Sequence, residues 1–116
     1  MDYRDVKDIA SWHAHVYFDG ASRDAAWALR EEITSRFAAD MAMGRFHEKP
    51  VGPHPMWSYQ IEFKPEKFAS IMPWLAVNRG TLVVFTHPNT GDDLGDHRDR
   101  AIWMGAKMDL DLTIFK

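Results

Sequence analysis

The sequence predicts an α+β fold, a ferredoxin-like βαββαβ sandwich whose antiparallel sheet carries two helices on one face, with an extra C-terminal strand. Three observations predict it. Ser11 to Phe18 and Met56 to Phe63 alternate apolar and polar residues with the period of two that a strand requires. Ala21 to Met41 repeats apolar residues at Ala26, Leu29, Ile33 and Phe37, a helical spacing. Pro65 to Asn78 then reads as a second helix and Thr81 to His87 as a β-rich run, which completes the order β-α-β-β-α-β.

In the first strand Trp12, Ala14, Val16 and Phe18 share an apolar face, while His13, His15 and Tyr17 share the other, the pattern of a half-buried strand. Ser22 is placed to cap the first helix and Gly44 to close it. Arg45 to Val51 follows as the second strand, ended by the turn residues Gly52-Pro53-His54-Pro55. The third strand sets Trp57, Tyr59, Ile61 and Phe63 against Met56, Ser58, Gln60 and Glu62, so its aromatics, like Trp27 in the first helix, are core residues. Pro65 suits the first helical position, and Pro73 is expected to bend or restart the second helix before Arg79-Gly80 ends it. A polar loop from Pro88 to about Arg100 leads to an alternating segment, Ile102 to Phe115.

A chain of 116 residues without a shift of composition supports one compact core, so residues 1–116 are read as a single domain. A formal charge of -3 gives no basic field for phosphates, which sets nucleic acid aside. No long apolar run occurs, and Met1-Asp2-Tyr3-Arg4-Asp5 lacks the features of a signal peptide, so no membrane association and a cytoplasmic location are expected. Without cysteine, any metal is held by nitrogen and oxygen.

The six histidines concentrate in three short motifs, around His13 and His15, at His54, and from His87 to His97; only His47 stands apart, mid-strand and solvent-facing. With the first and third strands side by side and parallel, and the fourth antiparallel to the first, three histidines converge on one end of the sheet. His13 opens the first strand, His54 precedes the third and His87 ends the fourth, so these are the expected metal ligands. His15 lies about 7 Å further along the same face, as a second ligand or a neighbouring acid-base group. The late loop brings His97 within reach as another proton-transfer group, and Tyr17 shares the histidine face as a hydrogen-bond donor to substrate. Arg98 and Arg100 beside His97 suit bidentate binding of a substrate carboxylate. Asp92, Asp93, Asp96 or Asp99 could add a carboxylate ligand, although acidic loops are most often only solvated. The cluster is compatible with iron, zinc or manganese.

These same residues resemble the DOPA 4,5-dioxygenase family, whose small proteins carry a His-x-His-x-Tyr-Phe strand, a Gly-Pro-His-Pro turn and a late His-Pro-Asn-Thr-Gly-Asp loop followed by Asp-His. All three occur here in order, as His13 to Phe18, Gly52 to Pro55, and His87 to Asp92 with Asp96-His97. The resemblance spans roughly residues 11 to 105, and the late loop is its most specific part. It implies a ferredoxin-like domain, often a homodimer, with extradiol ring-cleaving activity on a catechol such as 3,4-dihydroxyphenylalanine (DOPA), using non-haem Fe(II) and O₂. Fe(II) would then be held by two or three of His13, His15, His54 and His87. His15 or His97 would take and return the hydroxyl proton, and Tyr17 would steady the reacting oxygen.

Two other readings fit the residues. A ferredoxin-like module could hold a metal or small aromatic ligand without turnover, since this fold hosts many functions. A metal-independent acid-base enzyme could use His15 and Tyr17, and would survive chelation. A purely structural domain that dimerises through an open sheet face leaves the gathered histidines without a reason.

Overall fold

The alternation read in the sequence becomes a sheet with one face given to packing and the other to chemistry. In the computed structural model, which describes residues 3–115, the first strand, β1, spans Ser11–Phe18. Its residues Ala14, Val16 and Phe18 are fully buried against the first helix, α1 (Arg23–Phe37), and the second, α2 (Phe68–Asn78). Ala26, Leu29 and Ile33 of α1 and Ile71, Met72 and Leu75 of α2 enter that same core, so both helices cover one face. Tyr59, Ile61 and Phe63 of β3 (Trp57–Phe63) and Val84 of β4 (Val83–Asn89) complete it. A short edge strand, β2 (Met41–Met43), and a C-terminal one, β5 (Ile102–Met104), give the order β2-β3-β1-β4-β5.

Every pairing is antiparallel, and this corrects the expectation that the first and third strands run parallel. The reason is the crossover. Helix α1 returns the chain to the starting end, so β2 runs in the direction of β1, and β3, folding back on β2, must oppose both. Trp12 therefore lies opposite Phe63, and Phe18 opposite Trp57.

Other boundaries also move. Helix α1 ends at Phe37, where Asp40 N–H bonds the Phe37 carbonyl, and not at Met41. Gly44 closes no helix; it lies against β3, donating to the Gln60 carbonyl at 2.7 Å, and a Cβ there would meet that oxygen at 3.1 Å. Arg45 to Val51 is not a strand apart from a single bridge between His47 and Ser58, and Pro50 removes a donor that a ladder would need. Ser22 stands at the N-cap of α1, but its hydroxyl is engaged with Asp19. A 3₁₀ turn at Pro65–Lys67 precedes α2, which runs on through Pro73; Ala69 and Pro73 are exposed, so water can replace the lost helix bond. The polar loop contains a helix, α3 (Asp93–Arg98), and the last segment pairs for only three residues before a 3₁₀ turn at Leu112–Phe115.

The histidine face of β1 is not half exposed. His15 and Tyr17 are buried, beneath the Pro53-His54 turn, α3 and the C-terminal segment, which Asp111 N–H ties to the Pro53 carbonyl at 2.9 Å. Among the described residues no helix is long and apolar enough to cross a membrane.

Candidate metal centre and active site

Strand alternation and register together build the centre. His13 and His15 project from β1 on the face away from α1 and α2, and His13 is the direct partner of His87 on β4, as His15 is of Phe85. The His13 and His87 rings lie 5.1 Å apart, and Nε2 of His15 approaches Nε2 of His87 at 3.2 Å. Each of His13, His15 and His87 offers a ring nitrogen within 4.8 Å of the others, a group able to hold a metal ion.

Outer partners orient these rings. Nδ1 of His87 donates to the Pro88 carbonyl at 3.0 Å, which leaves Nε2 with its lone pair aimed at His15. Nε2 of His13 donates to Oε2 of Glu62 at 3.1 Å, so in the neutral ring the lone pair is on Nδ1. Burial, the largest cause, holds the His15 imidazole well below its ordinary range, with the neighbouring histidines adding to the effect. His87 is pushed down to about 3, again chiefly by burial. Neutral imidazoles are the form that binds metal, so the donor set suits a divalent transition metal.

His54, an expected ligand, is not in the group of three. The antiparallel register of β1 and β3 puts the turn before β3 at the Phe18 end of β1, away from His13. The turn then folds back over the face, where Nδ1 of His54 shares a 2.7 Å hydrogen bond with the Tyr17 hydroxyl and the His54 ring lies 4.2 Å from that of His15. Burial lowers His54 to about 4 and raises Tyr17 above its usual range, so both groups are neutral near pH 7.

The late loop does deliver His97. Its ring sits 3.9 Å from that of His87 and 4.3 Å from that of Phe115. Nδ1 of His97 donates to the Asp93 carbonyl at 2.7 Å, leaving Nε2 as a free base, and burial lowers its affinity for a proton.

Arg100 is paired with Asp92 and Asp96, each 3.1 Å from its Nη1. Asp96, 1% exposed, also accepts from the Thr90 amide at 2.7 Å and the Thr90 hydroxyl at 2.8 Å, while Asp92 caps α3 through the Gly95 amide. These carboxylates brace the loop instead of adding to the nitrogen donors. Asp96→Ala strands the Thr90 amide and Arg100, and is expected to cost about 1–3 kcal/mol of stability by denaturant unfolding. Arg98 is paired with Asp99 through two 2.8 Å bonds and, with His97, Trp103 and Leu112, lines a cavity of about 210 Å³.

Sequence reasoning passed over Glu62, Phe85 and Trp103 as site residues. Phe85 underlies His15 and His87, and Trp103 stacks on Phe85 at 4.6 Å, forming an apolar wall beside the imidazoles. The available signal was the polar alternation of the third strand, Ser58, Gln60 and Glu62, which the register sets beside Tyr17, His15 and His13.

The crystal structure of a candidate dioxygenase from Nostoc punctiforme is 44% identical, with a TM-score of 0.91 over 95% of this chain and 94% of that one. An uncharacterized 21.2 kDa protein of Botryotinia fuckeliana is 38% identical over 116 residues, covering 91% of this chain and 63% of that protein. A protein of Amanita muscaria named DOPA 4,5-dioxygenase is 38% identical over 114 residues, covering 91% of this chain and 50% of its own length. The chain thus spans between half and two thirds of the length of these two curated relatives. The family model described as the Dopa 4,5-dioxygenase family matches residues 12–114, nearly the whole fold that carries the histidines. The chain belongs to the Dopa 4,5-dioxygenase family.

Proposed function

We propose that this chain catalyses extradiol-type, DOPA 4,5-like ring cleavage of a catechol such as DOPA, with Fe(II) held by His13, His15 and His87. The observation that carries the reading is that group of three imidazoles with nitrogens within 4.8 Å, two of them anchored from outside, in a chain of this family. His15 takes the ligand place that the sequence assigned to His54. Bound Fe(II) would acidify the catechol hydroxyls and supply the redox chemistry that catechol and O₂ lack on their own.

The chain's own groups supply the rest. His97, neutral and with Nε2 free, takes a hydroxyl proton from the catechol and returns it to the product. The hydrogen bond between Tyr17 and His54 fixes the His54 ring 4.2 Å from that of His15. Phe85 and Trp103 exclude water from that face, and Arg98, at the rim of the cavity beside His97, exchanges Asp99 for a substrate carboxylate.

The test is anaerobic loading with Fe(II), followed by oxygen-electrode and absorbance assays with DOPA and a small catechol panel. Oxygen uptake with a yellow ring-opened product, abolished by a chelator, is expected. Metal uptake without oxygen consumption would instead indicate a binding module, and turnover that survives chelation would indicate metal-independent acid-base chemistry.

A further inference from the structure

Two of the three imidazoles at the centre are tied from outside by an acceptor, but the ties differ in kind. His87 is held by a main-chain carbonyl, which every residue at position 88 would supply. His13 is held by a side chain, Glu62, which the sequence is free to change. Glu62 stands directly across the β1–β3 ladder from His13, and its Oε2, 3.1 Å from Nε2 of His13, also accepts from the Ser11 hydroxyl at 3.3 Å. Ser11 in turn accepts from Nδ2 of Asn89 at 3.0 Å, so a hydrogen-bonded chain crosses β4, β1 and β3 and ends on the carboxylate.

We propose that Glu62 is a positioning residue for the metal centre: its carboxylate keeps the His13 proton on Nε2 and thereby presents Nδ1 as the donor nitrogen. The physical reason is that a carboxylate can only accept, so a His13 ring bonded to it has one tautomer and one orientation. Without Glu62 both tautomers of His13 are open to it, and the ring must be turned and fixed each time a cation binds. The Ser11 and Asn89 bonds hold the carboxylate itself in place. Glu62 touches His13 and not the reacting atoms, so its effect is on how tightly the cation is held and not on proton transfer to substrate. This inference rests on the metal reading of the His13, His15 and His87 group.

The experiment compares wild type, Glu62→Ala and Glu62→Gln. Nitrogen NMR of the metal-free protein reads the His13 tautomer, and titration with Co²⁺ against a competing chelator reads affinity. Wild type and Glu62→Gln, whose amide oxygen still accepts from Nε2, are expected to keep His13 protonated at Nε2. Glu62→Ala should show mixed tautomers and bind Co²⁺ about 10–100-fold more weakly. The Glu62 side chain is 46% exposed, so its truncation opens no core cavity and the thermal midpoint should hold. Glu62→Ala that keeps the wild-type tautomer, or binds Co²⁺ as tightly as wild type, overturns the proposal while leaving the metal reading intact. Wild type that binds no Co²⁺ overturns both.

Discussion

His87→Ala is expected to abolish turnover and to lower metal affinity by on the order of 100-fold or more, since losing a ligand exceeds the loss of an outer partner. His87 is 1% exposed, contacts His15 and His97, and occupies the centre of the cluster. The variant should also lose the thermal stabilisation that metal confers. Saturating the wild type at about 100 times its Kd adds roughly 2.7 kcal/mol, and His87→Ala at the same concentration should gain little. Without metal it should unfold about 2–5 kcal/mol more easily than the wild type, the cost of a cavity at a fully buried side chain and of a Pro88 carbonyl without its donor. Thermal scans with and without metal separate the two effects. Equal metal-induced stabilisation of both proteins would remove His87 from the centre.

In the metal-free protein, stability should fall steeply as the pH drops below about 6.5. His15, His54 and His87 are all held neutral in the folded state by burial, His54 down to about 4 and His87 to about 3, whereas in the unfolded chain each titrates near 6.5. Between these values the unfolded state binds protons that the folded state does not. Stability therefore rises with pH through this window, is complete above about 6.5, and is lost progressively as the pH falls toward 4. Each proton contributes about 1.4 kcal/mol per pH unit, so three such groups give a strong dependence even in part. Urea unfolding at pH 7.5, 6 and 5 measures it. His54→Gln should flatten the curve without changing its sign, and a curve flat from 7.5 to 5 in the wild type would contradict the burial of these rings.

What the sequence made legible follows the range of the interactions involved. Alternation in β1 and β3 and the 3.6-residue spacing in α1 are local, and from them came the fold class, the shared face of His13, His15 and Tyr17, and the core face of Tyr59, Ile61 and Phe63. The pairing of His13 with His87 was also within reach, because an antiparallel fourth strand brings its end to the start of the first. The sense of β3 was not. It depends on where the α1 crossover returns the chain, and taking it as parallel placed His54 with His13 when it belongs with Tyr17. Glu62 was hidden for the same reason, since only the cross-strand register puts it opposite His13. The polar loop concealed α3 because its cap is a side chain, Asp92, and its tether is a buried carboxylate, Asp96, whose partners lie at Thr90 and Arg100. The second strand forms at Met41–Met43 and not over Arg45 to Val51, where Pro50 interrupts a ladder.

The proposal that His13, His15 and His87 together hold one divalent metal is open to anomalous diffraction at the iron edge from crystals loaded anaerobically with Fe(II). A single peak in contact with a ring nitrogen of each of these three residues, with the Tyr17 and His54 hydrogen bond intact, is the predicted result. A peak bound by His54 in place of one of them, or none within reach of His87, would contradict it.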